Sequence, residues 1–246
     1  MNLPNKQAPE PRVLSNGTEL DVHSVFRTIQ GEGPHSGRKA VFVRLAGCNL
    51  QCPLCDTQYT DGRQTVGLRD LCESLYSTCL DYDCDFVVLT GGEPFRQNIA
   101  PLVQQLTQIY DLTVQVETNG RLAPQDYDKL LLARNTGRFD IVISPKTSTV
   151  NPVCASLATA WKYVVCYDDV DEDGLPVQAL DHPVPTGATV ARPPEDFTGL
   201  VYVHPADEQD VDLNTLNLNA AAMAVLDSGD NRRRLGLQIH KYADLE

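Results

Sequence analysis

The chain has no long apolar run and little positive charge, and each shortage excludes a class of protein. None of its 246 residues lies in a stretch near the ~20 apolar residues that a membrane-spanning helix requires, so no membrane partner is expected. Lys and Arg number 20 against 33 Asp and Glu, which gives a formal net charge of −13. So acidic a chain repels nucleic-acid phosphates, which favours a small-molecule substrate over nucleic acid.

The N-terminal segment lacks the apolar core of a secretory signal, and Pro4, Pro9 and Pro11 interrupt it. We therefore expect a loose arm over residues 1–24, a single domain over residues 25–246, and a cytoplasmic location. Reducing conditions there disfavour disulfides. The eight cysteines of the chain must then serve metal binding, catalysis or packing.

Short β-rich runs alternate with segments of helical periodicity from residue 41 onward. Seven runs are predicted as strands: 41–45, 86–89, 112–116, 140–143, 161–165, 200–203 and 235–239. Helices are predicted over 68–79, 102–110 and 214–227, and a long loop over 168–194. This order predicts an α/β fold, a partial, modified (β/α) barrel that binds its ligands at the carboxyl ends of the strands.

Three cysteines, Cys48, Cys52 and Cys55, lie within eight residues directly after a predicted strand. So short a loop brings three thiolates to one metal centre. A closed zinc site needs four ligands, whereas a [4Fe–4S] cluster on three cysteines leaves one iron open. Zinc with a distant fourth ligand, or simple packing, are the alternatives. Four other cysteines are predicted to pack as small hydrophobes: Cys72, Cys79, Cys154 and Cys166.

The spacing CxxxCxxC after a first strand resembles that of the radical S-adenosylmethionine superfamily. This resemblance implies that the open iron of the cluster binds S-adenosylmethionine and that Leu54, Cys55 and Asp56 contact this cofactor. The residue before the third cysteine is usually aromatic in that superfamily and lies near the adenine. Here it is Leu54, an aliphatic residue that can still pack there.

Polar motifs end three consecutive predicted strands: Thr90-Gly-Gly-Glu-Pro94, Glu117-Thr-Asn-Gly120 and Ser144-Pro-Lys146. Adjacent glycines let the backbone approach a ligand closely, and a carboxylate can accept hydrogen bonds from an ammonium group. Simple turns are the alternative for each motif. Their shared place at the strand ends predicts that they contact S-adenosylmethionine. A histidine directly after the 200–203 strand is predicted to contact it as well. The predicted contacts are Gly92, Glu93, Glu117, Asn119, Ser144, Pro145, Lys146 and His204.

Two further motifs point to the substrate. In Thr28-Ile-Gln-Gly-Glu-Gly33, the Gln and Glu side chains together offer a donor and acceptor face that suits the amide edge of a pterin or guanine ring. Arg44 can form a bidentate pair with a carboxylate. Near the other terminus, Gln238-Ile-His-Lys241 is predicted to extend along a strand, with Gln238 and His240 on one face. A hydrogen-bonded core histidine is the alternative for His240.

Taken in order with the cysteine loop, these motifs resemble those of the 7-carboxy-7-deazaguanine synthases. The resemblance implies a carbon–nitrogen lyase of queuosine-type 7-deazaguanine biosynthesis that converts 6-carboxy-5,6,7,8-tetrahydropterin to 7-carboxy-7-deazaguanine with loss of ammonia. It also implies Mg²⁺ on Thr57, an electron donor such as flavodoxin or ferredoxin, and a homodimer. The implied pterin contacts are Ile29, Gln30, Gly31, Glu32, Arg44, Thr90, His240 and the α-carboxylate of Glu246.

Two other functions remain open from the sequence. A radical activase acting on a partner protein would share the cysteine loop but would not need the motifs at 28–33 and 238–241. A zinc-binding interaction module would hold a single zinc ion in place of the cluster. At Thr57, a turn residue that caps the cysteine loop is the alternative to a Mg²⁺ ligand.

Overall fold

The structure is a computed structural model that describes residues 4–243 and 245. In this part of the chain nine strands form one sheet in the order β3-β1-β2-β4-β5-β6-β7-β8-β9. Their bounds are β1 Glu19–Ile29, β2 Lys39–Leu45, β3 Gln64–Gly67, β4 Phe86–Gly91, β5 Thr113–Thr118, β6 Phe139–Ile143, β7 Ala160–Val165, β8 Leu200–Pro205 and β9 Arg233–Leu235. The predicted α/β fold with a partial barrel is confirmed.

Strand β2 and strands β4 to β9 pair in parallel. At one edge of the sheet, β1 pairs antiparallel with both β2 and β3. Strands β3 and β9 stand at the two ends of this order, so the barrel is open. The parallel strands bring their carboxyl ends to a common rim, as the sequence pattern requires. The cysteine loop and the three polar motifs follow β2, β4, β5 and β6 in turn.

Side chains alternate between the two faces of each strand. One face is apolar and packs against helices; for example, Val43 of β2 and Val116 of β5 share a buried core with Leu75. The helices are α1 Leu68–Asp81, α2 Ala100–Gln108, α3 Tyr127–Arg134, α4 Pro152–Leu157, α5 Val211–Leu226 and α6 Ile239–Tyr242. The other face looks into the barrel, and its polar side chains include Arg44, Thr90, Gln115, Glu117, Lys162 and His204.

The prediction of a loose N-terminal arm is wrong where the structure describes it. The amide of Asn5 donates to the carbonyl of Pro53 at 2.9 Å, and that of Glu10 to the carbonyl of Cys48 at 2.7 Å. Buried Arg96 lies 3.3 Å from the Glu10 carboxylate. Strand β1 then begins at position 19, inside the predicted arm. Prolines remove amide donors there, but the remaining amides find acceptors along the cysteine loop, which holds the arm in place.

The C-terminal segment also differs from its prediction. Strand pairing ends at Leu235, and residues 239–242 form α6 in place of the predicted strand. The reason is a turn after β9, where the amide of Gly236 donates to Val203 and the amide of Ile239 donates to Gly31. The predicted long loop over 168–194 is confirmed, with only isolated bridges inside it. No helix among the described residues is long and apolar enough to cross a membrane.

Candidate active site

The cysteine loop begins where β2 ends. Cys48 and Cys52 are buried, Cys55 is half-buried, and all three are free thiols. Burial raises the pKa of Cys48 to about 12 and that of Cys52 to about 11. It also raises the pKa of Cys55, while the positive charge of Lys146 acts in the opposite direction on Cys52 and Cys55. The three thiols are close enough to interact electrostatically, and two of them, Cys52 and Cys55, face the Lys146 ammonium. They form a suitable donor set for an anionic metal cluster.

The chemistry of these thiols suits an iron–sulfur cluster, whose irons are held by cysteine thiolates. The loop brings three free thiols together, at Cys48, Cys52 and Cys55. This donor set fits a [4Fe–4S] cluster that keeps one iron open. Within residues 4–243 and 245, no group of three His, Cys, Asp or Glu side chains is arranged to hold one metal ion.

Glu93 of the glycine motif joins two strand ends. Its fully buried carboxylate accepts hydrogen bonds from the Thr118 hydroxyl at 2.7 Å, the Asn119 amide at 2.8 Å and the Phe95 amide at 3.0 Å. Burial raises the pKa of Glu93, and these donors partly oppose that rise. Because protein donors occupy the carboxylate, its predicted contact with an ammonium group of a cofactor stays a prediction.

The next two motifs reach toward the cysteine loop. The side-chain amide of Asn119 donates to Asn49 at 2.9 Å, which connects the end of β5 to the residue after Cys48. After β6, the Lys146 ammonium donates to the Ser144 hydroxyl at 2.7 Å. Burial lowers the pKa of Lys146. Pro145 is buried between these two residues. The structure thus brings Asn119 and Lys146 to the cysteine loop, whereas Glu117 lies inside the barrel.

Leu54, Asp56 and Thr57 lie around the third cysteine. The Leu54 side chain is 49% exposed, and its amide donates to the carbonyl of Leu180 at 3.2 Å, in the long loop over 168–194. The Thr57 hydroxyl donates to the Asp56 carboxylate at 3.2 Å. Hydroxyl and carboxylate oxygens are the ligands that Mg²⁺ prefers, so this pair fits the ion that the resemblance implies.

A buried polar network fills the inside of the barrel. The Lys162 ammonium, in the middle of β7, contacts the carboxylates of Glu32 and, at 2.6 Å, Glu117. The Gln30 amide donates to Glu117 at 2.9 Å. The amide of Gln238 donates to Glu32 at 2.5 Å. Motifs from the two ends of the sequence therefore meet on the inner face of the sheet.

Other predicted substrate residues, and His204, which is a predicted cofactor contact, lie around this network. Arg44 and Thr90 are register partners on neighbouring strands, so their side chains project from the same face. His240 contacts Gly31 so closely that a Cβ atom on the glycine would stand 1.9 Å from its Nδ1. His204 is fully buried in β8, where its Nε2 accepts from the amide of Gly33 at 3.4 Å. Ile29 ends β1, and Glu246 lies outside the described residues.

Sequence reasoning missed two residues of the network and one buried arginine. Lys162 and Gln115 are each a polar residue within an apolar strand, in Trp161-Lys-Tyr and Val114-Gln-Val. A polar residue at a position that faces into the barrel could have indicated their place in the site. Arg96 has no such signal. Its Nη2 donates to the carbonyl of Ala46 at 3.0 Å, a contact that depends on the tertiary fold.

The open parallel barrel, with three free cysteines on the loop after β2, defines a radical S-adenosylmethionine domain. A family model described as a 4Fe-4S single cluster domain matches residues 29–126. The chain is 39% identical over 241 residues to the 7-carboxy-7-deazaguanine synthase of Rhodospirillum rubrum, covering 96% of this chain and 95% of that protein. It is 34% identical to the same enzyme of Rickettsia prowazekii, with 97% and 94% covered. The chain belongs to the 7-carboxy-7-deazaguanine synthase family.

A solved structure supports the fold. The crystal structure of QueE from Escherichia coli superposes with a TM-score of 0.62 at 21% sequence identity, covering 89% of this chain and 93% of that one. This agreement extends the assignment of the open barrel over most of the chain.

Enlarging Leu54 is expected to strengthen the binding of S-adenosylmethionine. Because the leucine side chain is half exposed, Leu54→Phe fits without a clash. An aromatic contact is worth roughly 0.5–1.5 kcal/mol beyond area burial, so KM for S-adenosylmethionine should fall by about threefold to tenfold. The measurement is the rate of 7-carboxy-7-deazaguanine formation at saturating pterin while the concentration of S-adenosylmethionine is varied. Leu80→Phe, at an exposed position of α1, is the control, and an equal KM in the two variants would contradict the prediction.

Proposed function

We propose that this chain converts 6-carboxy-5,6,7,8-tetrahydropterin to 7-carboxy-7-deazaguanine with loss of ammonia. The observation that supports this most directly is the meeting of the 28–33 and 238–241 motifs inside the barrel, where Glu32 accepts a hydrogen bond from Gln238. A buried set of carboxylates and amides suits a small ring with several N–H and C=O groups. Because the family relationship extends over almost the whole chain, the proposal concerns the complete reaction.

The cofactor side of the proposal rests on the rim of the barrel. Cys48, Cys52 and Cys55 would hold the cluster, and Asn119, Ser144 and Lys146 would contact S-adenosylmethionine beside it. When bound, the cluster and S-adenosylmethionine supply the radical chemistry that removes hydrogen from C6 of the pterin. The predicted contacts of Leu54, Asp56, Gly92, Glu93, Pro145 and His204 with this cofactor belong to the same proposal, whereas Glu117 lies against Lys162 inside the barrel.

The substrate side rests on the inner face of the sheet. Arg44 would pair with the carboxylate of the pterin, and Thr90, its register partner, would contact the same end of the ring. Glu32 and Gln30 would bind the amide edge, with His240 and Gly31 close by. Thr57 would hold Mg²⁺, and an ion there would supply Lewis-acid stabilisation of charge near the substrate carboxylate. Such positioning brings C6 to the reactive carbon of the cofactor and keeps other C–H bonds away.

The proposal extends to partners and location. An electron donor such as flavodoxin or ferredoxin would reduce the cluster, and the enzyme would act in the cytoplasm as a homodimer. One feature supports self-association. Strand β9 is an edge strand, and apolar side chains at its end and beyond it are exposed, with Leu235 at 44% and Tyr242 at 74%.

The test is anaerobic incubation of the reconstituted protein with the carboxypterin, S-adenosylmethionine and a reductant, followed by mass analysis. We expect 7-carboxy-7-deazaguanine together with ammonia. A protein that holds four irons and cleaves S-adenosylmethionine but releases no deazaguanine would overturn the substrate assignment. Transfer of hydrogen from a glycine of a partner protein would then favour the activase alternative.

A further inference from the structure

Lys162 is a lysine buried in the middle of β7, with 6% of its surface exposed. Its ammonium contacts Glu32, from the loop after β1, and Glu117, from β5. An ammonium group is buried only where close partners compensate for its lost hydration. One lysine thus bridges two carboxylates from separate elements of the barrel.

The amides around this cluster have a fixed orientation. The Nε2 atom of Gln238 faces Glu32 at 2.5 Å, and that of Gln115 faces Glu117 at 2.9 Å. A carboxylate only accepts hydrogen bonds, so the amide nitrogen must face it and the amide oxygen must point elsewhere. Both of these amide oxygens are buried and accept no hydrogen bond within the described residues. The two amides therefore add two unpartnered acceptor oxygens to the two carboxylates of this cluster.

We propose that Lys162 is a positioning residue that holds Glu32 and Glu117 as a fixed pair of acceptors. Together they select a ring edge with adjacent N–H donors, the 2-amino-4-oxopyrimidine edge. The inference rests on the proposed function and adds the reason for its specificity. A ring with an oxygen at position 2 would bring an acceptor to these acceptors, and a buried polar site discriminates strongly against such a mismatch.

The groups around Lys162 stabilise its charged form. Five groups face Lys162 from the surrounding elements: Glu32, Glu117, Lys146, His204 and His240. Burial alone would lower the pKa of Lys162, but the two carboxylates outweigh it and raise the pKa. Burial alone would raise the pKa of Glu32, but Lys162 and its neighbours hold it below the ordinary value. Burial lowers the pKa of both histidines, which keeps them neutral.

The test measures binding of two rings by calorimetry, without reductant, to the cluster-loaded protein. The rings are 6-carboxytetrahydropterin and its analogue with oxygen in place of the 2-amino group. The unmodified protein should prefer the pterin by at least about 10³-fold. In Lys162→Met this preference should fall to about tenfold, because one carboxylate then takes up a proton and can donate to oxygen. Lys162→Arg should keep most of the preference for the pterin. Lys39→Met, at an exposed strand position, is the control and should leave this preference unchanged.

A pH profile separates positioning from a merely structural role. Without the lysine, repulsion raises the pKa of one carboxylate toward neutrality, so kcat/KM of Lys162→Met should fall as pH decreases from 8 to 6. The unmodified protein and Lys162→Arg should show no such ionisation in this range. If Lys162→Met does not fold, Glu32→Gln tests the same point, since its amide can donate to the 2-oxo group and should reduce the preference.

The outcomes distinguish this inference from the proposed function. Unmodified protein that forms the deazaguanine, with unchanged ring preference and a flat pH profile in Lys162→Met, would overturn the role of Lys162 alone. Weaker binding of both rings by the same factor would also overturn it, because that pattern indicates a structural defect. Unmodified protein that binds neither ring would overturn the proposed function and this inference with it.

Discussion

Replacing Cys52 with serine is expected to remove the cluster and abolish deazaguanine formation. Cys52 is buried, with 7% of its surface exposed, and serine has nearly the same volume. The fold should therefore persist while the thiolate ligand is lost. Bound iron should fall from about four per chain to less than about one. The reaction rate should fall at least about 10³-fold, because the cofactor carries chemistry that no side chain in the barrel supplies.

Iron and sulfide content, measured after anaerobic reconstitution, check this expectation independently of activity. Cys84→Ser is the matched control. Cys84 is also a free cysteine, and it is half-buried. It lies just before β4, at the end of the strand opposite the rim, and its thiol donates to the carbonyl of Lys39. A serine hydroxyl can make that same bond, so iron and activity should remain. A Cys52→Ser protein with four irons and normal turnover would refute the cluster assignment.

The strand pattern and the rim motifs were predictable because each depends on local sequence. Alternating apolar runs locate the central strands, and a parallel sheet places their carboxyl ends together. The sequence therefore indicates that the cysteine loop shares a rim with Thr90, Asn119 and Ser144. Cys72 and Cys79 are also buried, as their place on the apolar stripe of α1 predicts.

The errors have a tertiary origin. The arm looks unstructured in sequence because its proline-rich segment has neither helical nor strand periodicity. Its order comes from long-range bonds, such as the one from the side-chain amide of Gln7 to the carbonyl of Thr57 at 2.8 Å. The strand predicted over 235–239 fails for a similar reason, since contacts with Gly31 redirect the chain after β9. The sequence around Lys162 does not indicate its ion-pair partners, because Glu32 and Glu117 are distant from it in the chain.

Gly92 marks the point where the glycine motif touches the cysteine loop. Its amide donates to the carbonyl of Leu45 at 3.0 Å, and the next amide, of Glu93, donates to the carbonyl of Gly47 at 2.9 Å. A Cβ atom on Gly92 would stand 2.0 Å from the Gly47 oxygen and 3.0 Å from the nitrogen of Cys48. The obstacle is backbone, which cannot rotate away as a side chain can.

Gly92→Ala is therefore expected to destabilise the fold and displace the cluster loop together. Overpacking of this kind costs about 3 kcal/mol, at the upper end of the usual range. Urea unfolding of the cluster-free protein measures that loss, and iron content after reconstitution measures the displacement. Gly67→Ala is the matched control. Its φ of −63° is ordinary and the nearest atom to an added Cβ lies 3.6 Å away, so its stability should change by less than about 0.5 kcal/mol. Equal unfolding midpoints for the two variants would show that the glycine motif and the cysteine loop do not touch.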